Sequence, residues 1–141
     1  MSSGISEVRE AAEAMHAAAI RLLRMVRVED ARAGVPPAQL SALSVLVFKG
    51  SASLGELAAI EQVKPPTMSR IVQGLVVRGL VARATRQGDR RWVRLSATPK
   101  GRKLLLAGRD RRVRLLSGRF GAFSASELAT VAEAARLLAK M

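Results

Sequence analysis

Residues 53–101, SLGELAAIEQVKPPTMSRIVQGLVVRGLVARATRQGDRRWVRLSATPKG, decide the fold of this chain. Ser53 and Glu56 match a capping box, in which each side chain satisfies a backbone N–H group at the start of a helix. That short helix is expected to end near residue 61, and a second helix follows over about 65–79 after a three-residue turn. Two helices joined in this way are typical of a helix-turn-helix.

The rest of the chain is predicted to be mostly helical, with one small β-hairpin. Short strands are expected at 81–84 and 91–97, with residues 86–90 as the turn between them. Apolar spacing and helix-start signals predict four more helices, at about 5–32, 37–48, 98–120 and 124–138. The inward side of the second of these is expected to carry Leu40, Leu43, Val47 and Phe48. This order predicts a winged helix-turn-helix, mainly α with a β-hairpin wing, as a single domain over residues 1–141.

The outward face of the 65–79 helix carries side chains that suit DNA. Subtracting its apolar stripe leaves six residues near the outer face, of which the five with side chains that can contact DNA are the candidates. They are Lys64, Thr67, Ser69, Arg70 and Gln73, and the sixth is Gly74. Arginine reaches O6 and N7 of guanine together, and glutamine pairs with N6 and N7 of adenine. In a helix-turn-helix the second helix presents such side chains to the major groove. On the helices alone, an ordinary helical hairpin with a solvated polar face is an equal alternative.

The predicted turn adds a second candidate DNA-binding element. It brings Arg86, Arg90 and Arg91 within six residues, although a turn requires glycine and not three arginines. The minor groove attracts arginine, so we expect these side chains to face DNA. Asp89 would be repelled by phosphate, and we expect it to hold the turn and orient an arginine. A plain solvated turn is the alternative.

The charge balance indicates a polyanionic partner. The 141 residues include 24 Lys and Arg against 11 Asp and Glu, a formal net charge of +13. Double-stranded DNA is the expected polyanion, and an anionic membrane surface is the alternative. No apolar run approaches the roughly 18 residues of a membrane span, and the N-terminus lacks the apolar segment of a secretory signal. We therefore expect a cytoplasmic protein without a membrane partner.

The sequence contains few of the residues and motifs on which catalytic sites are built. His16 is the sole histidine, cysteine is absent, and no glycine-rich phosphate loop follows a predicted strand. A packed or hydrogen-bonded interface residue is the simplest interpretation of His16. We expect no enzyme activity, no metal site and no cofactor.

Two segments resemble the MarR family of winged-helix regulators. Residues 57–81, with VKPPTMSRIV at 63–72 and RGLV at 78–81, look like the recognition region of that family. Residues 88–101, GDRRWVRLSATPKG, resemble its wing signature, an Asp-x-Arg followed by a strand and a Thr-x-x-Gly. Together, at this spacing, the two motifs are specific.

The resemblance also implies roles for residues of the wing. Asp89 and Arg91 would be the signature pair, and Arg90 would lie at the tip. Trp92 stands where the family usually has a small or polar residue, and Ala97 replaces a larger aliphatic. The packing of the wing is therefore expected to differ, and the tryptophan is free to touch a ligand, a partner or the DNA backbone.

The family resemblance implies a homodimer whose first and last helices intertwine. Residues 1–34 and 102–141 would form the dimerisation helices, and residues 37–101 the DNA-binding lobe. Two such lobes would read a pseudo-palindromic operator with half-sites about 10 bp apart. The expected function is sequence-specific regulation of transcription, most simply repression. A non-specific architectural DNA-binding protein and a protein-interaction module on the same fold are the alternatives.

Members of the family often bind small aromatic or anionic effectors between the dimer helices and the DNA-binding lobe. By that resemblance, a pocket here would involve Met15, His16, Arg21 and Trp92. A regulator without an effector is equally compatible with the sequence.

Overall fold

The computed structural model describes residues 2–141, apart from the side chains of residues 2, 3 and 90. Within these residues the elements are α1 (Ser2–Ala31), α2 (Pro37–Phe48), α3 (Leu54–Ile60), α4 (Pro65–Val77), β1 (Val81–Arg86), β2 (Asp89–Ala97), α5 (Pro99–Phe120) and α6 (Ala125–Leu138). The strands form a two-stranded antiparallel sheet. The predicted fold class, mainly α with a β-hairpin wing, is confirmed.

The starts of the helices follow from local signals in the sequence. Ser53 and Glu56 form a complete capping box at α3, and Ser124 and Glu127 form another at α6. The hydroxyl of Thr98 caps α5. Prolines occupy the first positions of α2, α4 and α5, where a missing N–H group costs no hydrogen bond. Because these signals act over three or four residues, the helix positions were predictable.

The core lies between α2, α3, α4, the hairpin and the start of α5. Its largest fully buried side chains are Leu43, Leu57, Met68, Val72, Leu75, Leu80 and Leu95. α2 is covered by α4, α5 and β2, so Leu43 and Val47 are buried as predicted. The expectation that Phe48 faces inward is wrong. Phe48 is 61% exposed, and it lies two helical turns after the exposed Ser41, on the solvent-facing side of α2.

The hairpin is longer than predicted. β1 continues to Arg86 and β2 begins at Asp89, so only Gln87 and Gly88 remain as the turn. Gly88 has a φ of 85°, a left-handed conformation that glycine adopts without steric cost. The predicted turn over 86–90 was too wide because turn-forming residue types were assigned to the loop. An isolated antiparallel bridge between Ala52 and Leu95 ties the hairpin to the segment before α3.

The terminal helices are only loosely covered within one chain. No described residue of α6 is buried, and residues 4–24 of α1 are all exposed. Many of the exposed side chains are apolar, including Val8 at 71% and Leu23 at 51%. Among residues 2–141, none of the helices combines the length and the apolar character that crossing a bilayer demands.

Gly101 should be essential for the junction between β1 and α5. A Cβ atom at this position would overlap the carbonyl oxygen of Leu80 and lie 3.1 Å from Cδ1 of Leu43. We expect Gly101→Ala to lower the free energy of unfolding by about 1–3 kcal/mol, measured by urea denaturation at fixed protein concentration. Gly55→Ala is the control, because no atom outside its local chain lies within 4 Å of its Cβ position. Equal stability of the two variants would contradict the prediction.

Candidate nucleic-acid interface

The helix α4 presents the five residues that the sequence singled out. Met68, Val72 and Leu75 are buried against the core. The remaining face exposes Lys64, Thr67, Ser69, Arg70 and Gln73. Lys64 is the N-cap residue, so this set begins at the end of the helix that a helix-turn-helix directs into the groove. The arrangement has the donors and acceptors needed to contact base edges and phosphates.

The turn between α3 and α4 fixes how the two helices cross. Gln62 has a φ of 55°, which is uncommon for a residue other than glycine. The backbone N–H of Val63 then donates to the carbonyl oxygen of Ala58 at 3.0 Å, and Val63 packs against the core. This turn therefore anchors the start of α4 to the end of α3.

The tip of the hairpin exposes Arg86 and Arg91. Asp89 accepts a hydrogen bond through Oδ1 from the backbone N–H of Arg91, at 3.0 Å. Asp89 thus stabilises the turn through the backbone of a neighbouring arginine. The side chain of Arg90, also predicted to face DNA, lies outside the described part of the chain.

Trp92 belongs to the hairpin and not to a cavity near α1. Its ring lies under the guanidinium group of Arg86, with 4.5 Å between Cζ and the ring centroid. A cation over an indole face is attracted by the quadrupole of the ring. The stacking restricts Arg86 to a position along the hairpin surface, which sequence reasoning did not anticipate.

Arg94 anchors the hairpin to the beginning of α3. Its Nη1 donates to Oε2 of Glu56 at 3.1 Å, and its Nη2 donates to the carbonyl oxygen of Ser51 at 2.8 Å. Glu56 therefore both caps α3 and holds the hairpin. Glu56 lies 38 residues before Arg94, so local patterns in the sequence did not reveal this contact.

A second contact connects the hairpin with α4. Nη2 of Arg83, on β1, donates a hydrogen bond to Oε1 of Gln73 at 3.0 Å. Both side chains are exposed, and Gln73 belongs to the candidate DNA-contacting set. Arg83 was not among the predicted site residues, because nothing in the spacing of the sequence links it to Gln73.

The four residues predicted for an effector pocket are not brought together. A cavity of about 550 Å³ lies between α1, α5 and α6, and Met15 and Arg21 are part of its lining. His16, one position further along α1, is not part of it. Trp92 stacks with Arg86 in the hairpin. The cavity also contains Arg119, Phe120 and Phe123, which sequence reasoning missed.

Comparisons with known proteins agree with this architecture. A model of the MarR family matches residues 33–91. The chain is 36% identical over 121 residues to the uncharacterized HTH-type transcriptional regulator Mb0904 of Mycobacterium bovis, covering 86% of this chain and 85% of that protein. It is 33% identical over 111 residues to the HTH-type transcriptional repressor MdtR of Bacillus subtilis, covering 77% of this chain and 68% of that protein.

A solved structure extends the likeness to almost the whole chain. The structure of a MarR family protein from Bacillus stearothermophilus superposes with a TM-score of 0.82 at 25% identity, covering 95% of this chain and 94% of that one. The match therefore includes α1, α5 and α6 as well as the helix-turn-helix and the hairpin. By its sequence relatives and its fold, this chain belongs to the MarR family of transcriptional regulators.

Proposed function

We propose that the protein represses transcription as a homodimer by binding a specific operator through α4 and the tip of the hairpin. The observation that supports this most directly is the hydrogen bond from Arg83 to Gln73. It ties the outward face of α4 to the hairpin, three residues before the exposed Arg86. A single duplex could then contact α4 in the major groove and the hairpin tip in the neighbouring minor groove.

The two elements would contribute differently to binding. Contacts of Lys and Arg with phosphate supply affinity for any duplex, and that affinity falls with salt because counterions are released. Discrimination between sequences requires contacts with base edges, which α4 would make through Arg70 and Gln73. Repression would follow if the occupied operator overlaps a promoter, and the relative MdtR is described as a repressor.

Alanine substitutions of Arg70 and Arg91 should therefore change DNA binding in different ways. We expect Arg70→Ala to relax the preference for the best sequence by about 1–3 kcal/mol, measured by competition with random duplex DNA. Arg91→Ala should weaken binding to all sequences and reduce the salt slope by about one. Arg109→Ala is the control, since it removes the same charge from α5. An unchanged binding-site profile for Arg70→Ala would exclude Arg70 from base recognition.

We propose that a second copy of the chain packs against the terminal helices. α6 has no described buried residue, and its exposed apolar side chains include Leu128, Leu137 and Leu138. Exposed apolar surface of this extent marks an interaction site. Residues 1–34 and 102–141 would then form the dimer, and two lobes of residues 37–101 would bind half-sites about one helical turn apart.

Leu128→Glu should weaken the dimer, because it places a charge on an apolar face that the second copy covers. The molar mass in solution, measured by light scattering, should fall toward that of one chain, and operator binding should weaken with it. Val77→Glu is the control for the molar mass, since Val77 is 76% exposed and lies outside the terminal helices. A wild-type protein with the mass of one chain, or a Leu128→Glu variant with the wild-type mass, would contradict the proposal.

We further propose that the cavity between α1, α5 and α6 binds a small aromatic anion. Arg21 and Arg119 supply two cations, and Phe120 and Phe123 stack with their centroids 5.5 Å apart. A ligand that prefers the DNA-free conformation would release the operator by shifting the population.

Benzoate is a suitable probe of this cavity. It should raise the midpoint of thermal unfolding and weaken operator binding by the wild type, because its carboxylate would pair with Arg21. Arg21→Met should remove both effects, whereas Arg27→Met, on the same helix, should retain them. If benzoate changes neither quantity in the wild type, the effector proposal fails.

A further inference from the structure

We propose that Arg83 and Gln73 act together in base recognition. Arg83 fixes the orientation of the Gln73 amide and thereby sets the base that Gln73 selects. This inference deepens the proposed function and rests on it, since it requires α4 to lie in the major groove. Arg83 would be a positioning residue, and its effect on base preference would be exerted through Gln73.

The fold brings the two side chains together from different elements. β1 packs against α4. Within β1, Val81 and Arg83 lie on the same face because side chains alternate along a strand, and Val81 is buried. Arg83 is also paired with the buried Leu95 across the hairpin. The side chain of Arg83 therefore starts beside the core and extends outward to Oε1 of Gln73, 3.0 Å from its Nη2.

The chemistry of the pair favours one orientation of the glutamine amide. A glutamine offers an acceptor oxygen and a donor NH₂ group, and its terminal torsion is soft, so an unrestrained side chain can present either half. Arginine has donors and no acceptor. It can therefore bind only the oxygen of Gln73, which turns the NH₂ group away from the hairpin and leaves it as the group that meets DNA.

This orientation predicts which base Gln73 prefers. Guanine presents two acceptors, N7 and O6, to the major groove, whereas adenine presents the N7 acceptor beside its N6 donor. An amide whose NH₂ group faces the DNA matches guanine, because both groups that guanine presents are acceptors. The pairing of glutamine with adenine, expected from the sequence, needs both halves of the amide turned toward one base. The contact with Arg83 opposes that arrangement because it holds the oxygen on the hairpin side.

The test is a selection from randomised duplexes with the full-length protein. We expect Gln73→Ala to identify the base pair that Gln73 contacts. Arg83→Met should then shift the preference at that same base pair from guanine toward adenine by about five-fold or more. The double variant should have the same preference there as Gln73→Ala alone. Arg109→Met removes an equal charge from α5 and should leave the preference unchanged.

The outcomes separate this inference from the function on which it rests. If Arg83→Met weakens binding to all sequences equally, Arg83 contacts only phosphate and the inference fails. A changed preference at a base pair that Gln73→Ala does not affect would also overturn it. If the wild type selects no sequence, the proposed function fails instead. Thermal unfolding of each variant, expected to match the wild type, excludes misfolding as the cause.

Discussion

The geometry of the whole molecule depends on the junction around Thr98. Its backbone N–H donates to the carbonyl oxygen of Leu80 at 3.0 Å, its hydroxyl donates to that of Gly79 at 2.6 Å, and the same hydroxyl accepts from the N–H of Gly101. One residue thus ends β2, starts α5 and binds the segment that leads from α4 into β1. Because Gly101 has no side chain, α5 can approach Leu80 closely. The part of the chain that carries α4 and the hairpin is therefore joined to α5 at this point.

The excess of positive charge is divided between structural and exposed groups. Arg94 holds the hairpin, Arg112 pairs with Asp30 at 2.6 Å to join α5 to α1, and Lys100 donates to the carbonyl oxygen of Arg78 at 2.9 Å. These cations are engaged in contacts within the chain. The surface on α4 and at the hairpin tip owes its character to where its cations lie, since net charge describes attraction to polyanions and not the shape of a site.

The sequence was informative wherever the physical signal is local. Capping boxes, prolines at helix starts and the apolar stripe of α4 act within one or two turns, and they located the helices and the outward face of α4. Contacts between distant segments were not predictable. Arg94 meets Glu56 across 38 positions, and Arg83 meets Gln73 across 10, because the fold and not the spacing brings them together. Phe48 was misplaced for the same reason, since burial at the end of α2 depends on which elements cover it.

The stacking of Arg86 on Trp92 makes the intrinsic fluorescence of the protein sensitive to the state of the hairpin. Trp92 is the sole tryptophan of the chain, so the ultraviolet emission of the molecule arises largely from one indole at the hairpin. A cation 4.5 Å from that ring alters its electrostatic surroundings. Any partner that draws the guanidinium away would change the emission, and the state of the hairpin could be followed in solution without a dye.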